Sequence, residues 1–264
     1  MVQRYNYLLL VLSLILHSCN VFSHSDDKMT CEQDLYLVGF PIIPDTISSV
    51  IIDRICYSVS YNTTTRQPNW VMWQLCGNHV SKRKAGVWNE YREDHNIDKK
   101  YRAMLSDYVS SGYDRGHMCP GGDCNWNDKG RDETFLLSNM CPQNPNLNRG
   151  DWKEIEIACR QWAKKYGCIY IICGPIFLKS QEHEKIGSNQ IPAPEAFFKV
   201  ILCPDSISPK GIGFICRNTD GNRKKDFYVN SIKQVERITG YKFFPKLDDS
   251  IKNKIYTMDD INKW

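Results

Sequence analysis

No stretch of the chain approaches the ~20 apolar residues that a helix needs to cross a bilayer. Strong charge of one sign is missing too: 34 basic against 30 acidic residues leave a formal +4. That is too mild to argue for a polyanionic partner from charge alone, so any basic patch has to be local. There is no CxxC pair and no histidine at zinc-finger spacing from two cysteines, which argues against structural zinc. No internal repeat or low-complexity linker divides the 264 residues. At roughly 150 residues per domain the chain makes one large domain or two small ones, large enough to fold without cross-links.

What is present begins with an export pattern. Arg4 precedes the apolar run LLLVLSLIL, Leu8 to Leu16, and small residues follow; this reads as a secretory signal. Two ways of processing it stay open. One is cleavage after Ser23; the other is lipidation of Cys19 in LHSCN, as in a bacterial lipoprotein. Either way the expected location is outside the cytoplasm: secreted, periplasmic or held at the outer membrane. The expected layout is a signal over residues 1–23 (or ending before Cys19), a leader over 24–50, one domain over 51–250 and a tail over 251–264. Eleven cysteines remain besides Cys19. In an exported protein they are expected to pair, and the odd count leaves at least one over. Asn62-Thr63-Thr64 fits a glycosylation acceptor.

RICYSVSY, Arg54 to Tyr61, alternates with period two, and after the turn-rich NTTTRQP the run NWVMWQL, Asn69 to Leu75, reads as the return strand of a hairpin. CIYIICG, EAFFKVILC and GIGFICRN read as further strands. NSIKQVERITG predicts a helix capped by Ser231 and stopped at Gly240. The most informative helix is NRGDWKEIEIACRQWAKKYG, with Asn148 as its cap candidate, Asp151 in its first turn and Gly167 as its stop. Trp152, Ile155, Cys159, Trp162, Ala163 and Tyr166 form one apolar stripe, and Glu156 lies on its edge. A carboxylate there needs a partner, because burying a lone charge is costly. Strands in runs and few helices argue for an α+β domain with a mainly antiparallel sheet.

GYDRGHMCP, Gly112 to Pro120, packs an acid, a permanent cation and a histidine into four residues. His117 titrates near ~6.5 when unperturbed, so it can take a proton at neutral pH, with Asp114 or a backbone carbonyl to orient it. Arg115 suits phosphate, and Gly116 lets backbone approach a ligand. Thirty-one residues after His117 comes Asn148, whose amide oxygen suits Mg²⁺. A histidine satisfied in a turn and an asparagine capping a helix are the plain readings of each alone. Together, a base, a metal site and an arginine suggest phosphodiester hydrolysis.

DRGHMCP followed by SNMCPQNPNLNRGDWKEIE resembles the DNA/RNA non-specific endonuclease family with its ββα-metal (His-Me finger) active site, in the style of exported bacterial enzymes. RQPNWVMWQL, YIICGPIF, PEAFFKVIL and VERITGYKFF add to the likeness, which runs from about Ile55 to Pro245. The resemblance implies an antiparallel sheet flanked by helices, and cleavage of DNA and RNA without sequence preference, through phosphate contacts. It implies His117 as general base and Asn148 as the sole direct protein ligand of Mg²⁺, with Mn²⁺ as a substitute. Glu156 would hold the metal's water shell, Asn139 would line the site, and Arg115 would face substrate. An upstream transition-state arginine is also implied: Arg83 in SKRKAGVW is the choice, with Arg66 its rival. Lys82, Arg83, Lys84, Arg149 and Lys153 are candidates for a basic rim. The sequence departs from the pattern at Cys119 and Cys141, which are expected to flank the site and to bond there or with Cys124.

Overall fold

A computed structural model describes residue 35 and residues 37–80, 90–178, 182–204, 208–219, 221 and 223–264. The expected signal segment, Cys19 and Arg83 lie outside the described residues. In chain order the strands are β1 (Val50–Asp53), β2 (Ser58–Asn62), β3 (Gln67–Cys76), β4 (Asp114–His117), β5 (Met140–Gln143), β6 (Cys168–Ile176), β7 (Lys185–Ile186), β8 (Ile191–Pro192), β9 (Ala196–Cys203), β10 (Lys210–Arg217) and β11 (Val229–Asn230). The helices are α1 (Gly77–Val80), α2 (Leu105–Tyr108), α3 (Asp128–Glu133), α4 (Pro145–Arg149), α5 (Asp151–Tyr166), α6 (Ile232–Thr239) and α7 (Asp249–Ile255).

Seven strands form one sheet in the order β1-β2-β3-β6-β9-β10-β11, each pair antiparallel. Period-two alternation sends successive side chains to opposite faces. Val71, Trp73, Ile171, Phe197 and Ile201 therefore join one core with Trp152, Ile155, Cys159 and Trp162 of α5. Trp70, Met72, Ile172, Phe198 and Val200 join another with Ile232 and Val235 of α6 and Ile255 of α7. The sheet is buried on both faces by helices, which is the expected α+β class in its antiparallel form.

Several expectations shift. The predicted strand over Arg54–Tyr61 is split, because Arg54 N donates to the Tyr57 carbonyl (2.8 Å) and the chain turns there between β1 and β2. Residues of the expected leader take part in packing: Leu35 and Val38 are buried in the second core, and Ile42 bridges to Lys242. At the other end Trp264 packs at a tilt against Trp162, with ring centroids 4.9 Å apart. Asn62 is buried and donates to Asn69 (3.0 Å), so it does not present itself as a glycosylation acceptor. Among the described cysteines the expected general pairing is not seen. Cys76–Cys168 is a disulfide between directly opposed residues of β3 and β6, while Cys119, Cys124, Cys141, Cys159, Cys173 and Cys216 are buried free thiols and Cys56 and Cys203 are buried as well. Here the thiols serve as small apolar core residues.

A candidate active site

The chemistry-bearing motif is a small unit set on the α5 face of the sheet. β4 and β5 pair antiparallel, with Asp114 opposite Gln143, Gly116 opposite Cys141 and His117 opposite Met140. α4 and α5 follow directly. The order strand, strand, helix is thus built from DRGH, MCPQ and the long helix. Gly116 is required by space: a Cβ there would stand 2.2 Å from Gln143 Oε1 and 2.5 Å from Gln143 Cβ. Trp152 in the first turn of α5 donates its indole N–H to the His117 carbonyl (3.3 Å). Beyond His117 the chain is clamped by Asn139. Its Oδ1 accepts from Cys119 N (2.9 Å), and its Nδ2 donates to the Cys119 and Thr134 carbonyls (both 2.8 Å).

His117 itself sits against Phe135 edge-on, at 4.9 Å between centroids, and beside Tyr91 at 5.6 Å. Its Nε2 is buried and has no hydrogen-bond partner among the described residues. Burial, reinforced by the nearby Arg131 cation, lowers its pKa from 6.5 to about 4. At neutral pH the imidazole is uncharged and Nε2 is a base with nothing yet to accept from. Arg115, on the same face of β4, lays its guanidinium over Tyr91 at 4.5 Å.

Asn148 lies on α4, and its Nδ2 donates to Asp114 Oδ2 (2.8 Å). Arg149 forks the same carboxylate through Nε (2.8 Å) and Nη2 (2.7 Å). Although burial opposes it, these donors hold the Asp114 carboxyl below its ordinary value. A cleft of about 320 Å³ opens here, lined by Tyr91, Tyr108, Tyr113, Arg115, Asn148 and Arg149 with Asp114 at its wall. Glu156 stands one turn beyond Trp152 on α5. Burial raises its carboxyl to about 7 against the opposing pull of Lys199.

The structure thus brings Arg115 and Asn148 together at the cleft, while His117, two residues along β4, is placed against Tyr91 at the cleft wall. It alters four of the expected roles. Asn148 does not cap the long helix: Gly150 does, and Asn148 belongs to the short α4, which Asn144 caps and Pro145 opens. Asp114 does not orient His117, because its oxygens are taken by Asn148 and Arg149. Asn139 is fully buried with both amide hydrogens committed, so it holds the loop after His117 and does not line the cleft. Arg66 sits in the β2–β3 turn at φ 56° and donates to the Arg102 carbonyl (2.9 Å); nothing places it at the cleft. The expected bond at Cys119 is not formed either: its sulfur lies 3.8 Å from that of Cys124, both as free thiols. Burial pushes the Cys119 thiol up to about 12, which leaves it protonated at neutral pH. Tyr91 and Phe135, the walls of the histidine, were missed in the sequence because they come from irregular segments without periodicity.

The donor set suits a hard divalent cation. The Asp114 bond takes the Asn148 amide nitrogen and turns its carbonyl oxygen, a hard neutral donor, away from that carboxylate. No group of three His, Cys, Asp or Glu able to hold a metal occurs among the described residues, so an ion here would keep most of its ligands as water and phosphate, as Mg²⁺ commonly does.

A family model described as DNA/RNA non-specific endonuclease matches residues 34–250. Mouse "Nuclease EXOG, mitochondrial" is 31% identical over 209 residues, covering 74% of this chain and 56% of that protein. The "Mitochondrial nuclease" of Saccharomyces cerevisiae is 33% identical over 216 residues, covering 74% of this chain and 65% of that protein. The chain therefore spans less than two thirds of the length of either relative. Among solved structures, the crystal structure of the EndoG/EndoGI complex superposes with a TM-score of 0.75 at 28% identity, covering 83% of this chain and 93% of that chain. The relatives overturn the expectation of an exported protein, in its secreted, periplasmic and outer-membrane forms alike: those named here are mitochondrial nucleases.

Proposed function

Because the chain belongs to the DNA/RNA non-specific endonuclease family, we propose that it is a metal-dependent nuclease that hydrolyses phosphodiester bonds of DNA and RNA without sequence preference. The observation that carries this reading is His117: a neutral imidazole whose Nε2 is buried and unpartnered, on a strand tied to Asn148 through Asp114. Nε2 takes the proton of the attacking water, while Phe135, Tyr91 and the Trp152 bond to the backbone keep the ring in place. Arg115 presents its cation to the phosphate across the cleft. Asn148 Oδ1 would hold Mg²⁺, or Mn²⁺ in its place, with Glu156 oriented toward the ion's waters. When bound, the ion supplies charge stabilisation at the phosphate and the leaving oxygen. Contacts of this kind go to phosphate and not to base edges, which is why sequence preference is absent. The relatives' mitochondrial names suggest the same compartment for this protein.

The test is incubation of purified protein with plasmid and with RNA, with Mg²⁺ and with EDTA, alongside His117→Ala. Wild type should nick both substrates only with metal. His117→Ala should fold and lose several orders of magnitude in rate, ~10² to 10⁴ from the lost base alone. Metal-independent cleavage, or a variant that keeps most of its nicking, would refute the assignment.

A further inference from the structure

The connection from β10 to β11 is fastened to the strand–strand–helix motif at both of its ends. At its start Asn218 Oδ1 accepts from the N–H of Asn144 (2.7 Å), the cap of α4, and Asn218 Nδ2 donates to the Pro142 carbonyl of β5 (3.1 Å). Toward its close the Arg223 N–H (3.1 Å) and the Tyr228 hydroxyl both donate to Asp151 Oδ2, in the first turn of α5. Gly221 lies so near the same carboxylate that a Cβ there would stand 2.4 Å from Oδ2. Asp151 is three residues from Asn148, at most ~11 Å along the chain. The connection therefore forms a rim beside the cleft that Arg115, Asn148 and Arg149 line.

On that rim the 3₁₀ turn Lys225–Tyr228 carries the most exposed large apolar side chain among the described residues, Phe227, at 69%. A single exposed apolar side chain is ordinary on a protein surface. Phe227, however, is held in place. Its N–H donates to the Lys224 carbonyl (3.0 Å). Tyr228 packs edge-on against its ring, with centroids 5.4 Å apart and planes at 88°, and Tyr228 is itself buried and bonded to Asp151. The Arg223 guanidinium lies 5.4 Å from the Phe227 centroid. Lys224 and Lys225 precede the ring in the chain, so three cations stand against the single carboxylate of Asp226. Arg223 and Lys224 are exposed, and Lys225 is half-buried. A flat apolar ring among cations fits a nucleobase with its phosphates alongside. Every base offers a π-face, and the cations meet the backbone without reading sequence. An acidic protein surface would satisfy the cations without using the ring. A duplex keeps its base faces stacked inside, so the ring suits unpaired nucleotides.

We propose that Phe227 is a stacking platform for an unpaired nucleobase of the substrate strand, with Arg223, Lys224 and Lys225 taking the adjoining phosphates, a few nucleotides from the bond that is cut. The inference takes its ligand from the nuclease reading and so rests on it. The test is fluorescence anisotropy of a labelled single-stranded thymidine oligonucleotide, a uridine RNA of the same length and a blunt DNA duplex. All three are measured with EDTA on the His117→Ala background. Phe227→Ala should weaken binding of both single strands ~5–100-fold, the range for loss of one stacked base. Phe227→Trp should stay within about two-fold of the parent. Phe227→Leu should resemble alanine, because leucine is apolar but has no π-face. Duplex binding should change less than about two-fold. Phe227→Ala should leave the salt dependence on single strands as it was, whereas Lys224→Gln should flatten the slope of log K against log salt by ~0.7. Because the ring is exposed, the variants should melt with the parent. Unchanged single-strand affinity in Phe227→Ala, a leucine as good as tryptophan, an equal loss on the duplex, or a loss that follows a lower Tm would overturn the platform. A wild type that cuts neither plasmid nor RNA would instead overturn the nuclease reading, and with it the platform's place in substrate binding, whatever the anisotropy shows.

Discussion

Burial drives His117 and Glu156 in opposite chemical directions. It keeps the imidazole neutral down to about pH 4 and keeps the carboxyl protonated up to about pH 7. The acid limb of activity should therefore belong to Glu156. At limiting Mg²⁺, cleavage should rise as pH increases through about 7, and added Mg²⁺ should move the limb lower, since a nearby dication favours the carboxylate. A limb fixed near pH 6.5 that survives Glu156→Gln would return the titration to histidine. Stability follows the same signs. The His117 contribution is present above about pH 6.5 and is lost as pH falls toward 4. The Glu156 contribution is present below about pH 4.5 and is lost as pH rises through 7. His117→Ala should accordingly gain on wild type in thermal melts as pH is lowered from 6.5 to 4. A second prediction at this scale ranks the metal-side residues. Asn148→Ala removes the oxygen proposed to hold Mg²⁺ and should abolish turnover at any practical Mg²⁺ concentration. Glu156→Ala should cost ~10–100-fold and recover in part with added metal. Mg²⁺ titrations of both on one substrate decide the order, and a more crippled Glu156→Ala would reverse the assignment.

At the scale of elements, the β4–β5 hairpin is held by its neighbours more than by its own length, since four residues a side make a weak ladder. Trp152 bonds its end, Asn139 clamps the loop after it, and Asp114 joins it to α4. Its tightest point is Gly116 against Gln143. Gly116→Ala forces backbone apart, because one of the opposing atoms is Gln143 Cβ at 2.5 Å and not a mobile side-chain end. Overpacking of this kind costs ~1–3 kcal/mol, or roughly 2–12 °C in a chain of this size. The same shift displaces His117, and a misplacement of ~1 Å is enough for about 100-fold in rate. Activity measured well below the melting temperature should thus fall further than stability explains. A variant with normal kcat and only a lower Tm would show that the hairpin tolerates the change.

For the whole molecule, Cys76–Cys168 closes the largest constraint, a sequence separation of 92 residues that encloses β4, β5 and α5. A loop of that size restrains the unfolded chain by as much as ~4.7 kcal/mol, with ~2–4 typical. Cys76→Ser with Cys168→Ser should therefore lower Tm by roughly 5–15 °C. Activity at 25 °C should not change. Cys173, which meets the Met118 carbonyl beside the site, lies five residues along β6 from the disulfide, ~17 Å at strand spacing. Unchanged Tm in a differential scan would mean that the bond is not formed in solution.

Features that depend on near neighbours in the chain were legible from the sequence. Short apolar runs marked β3, β6, β9 and β10, the apolar stripe marked α5, and Ser231 and Gly240 cap α6 as expected, with Ser231 Oγ accepting from Gln234 N and Gly240 at φ 73°. The identities of His117 and Asn148 came from a local motif in the same way. Tertiary structure alone decided which groups meet. It took Asp114 from the histidine and gave it to Asn148 and Arg149, withdrew Asn139 into a clamp, left Cys119 and Cys124 as separate thiols, and set Lys199 under α5 where a strand of apolar residues had hidden it. Propensity and periodicity act over a few residues, whereas hydrogen bonding, desolvation and charge coupling depend on distance in space. Trp152 is 35 residues from His117 in the chain, and only the packing of α5 against the hairpin brings its indole N–H to the His117 carbonyl.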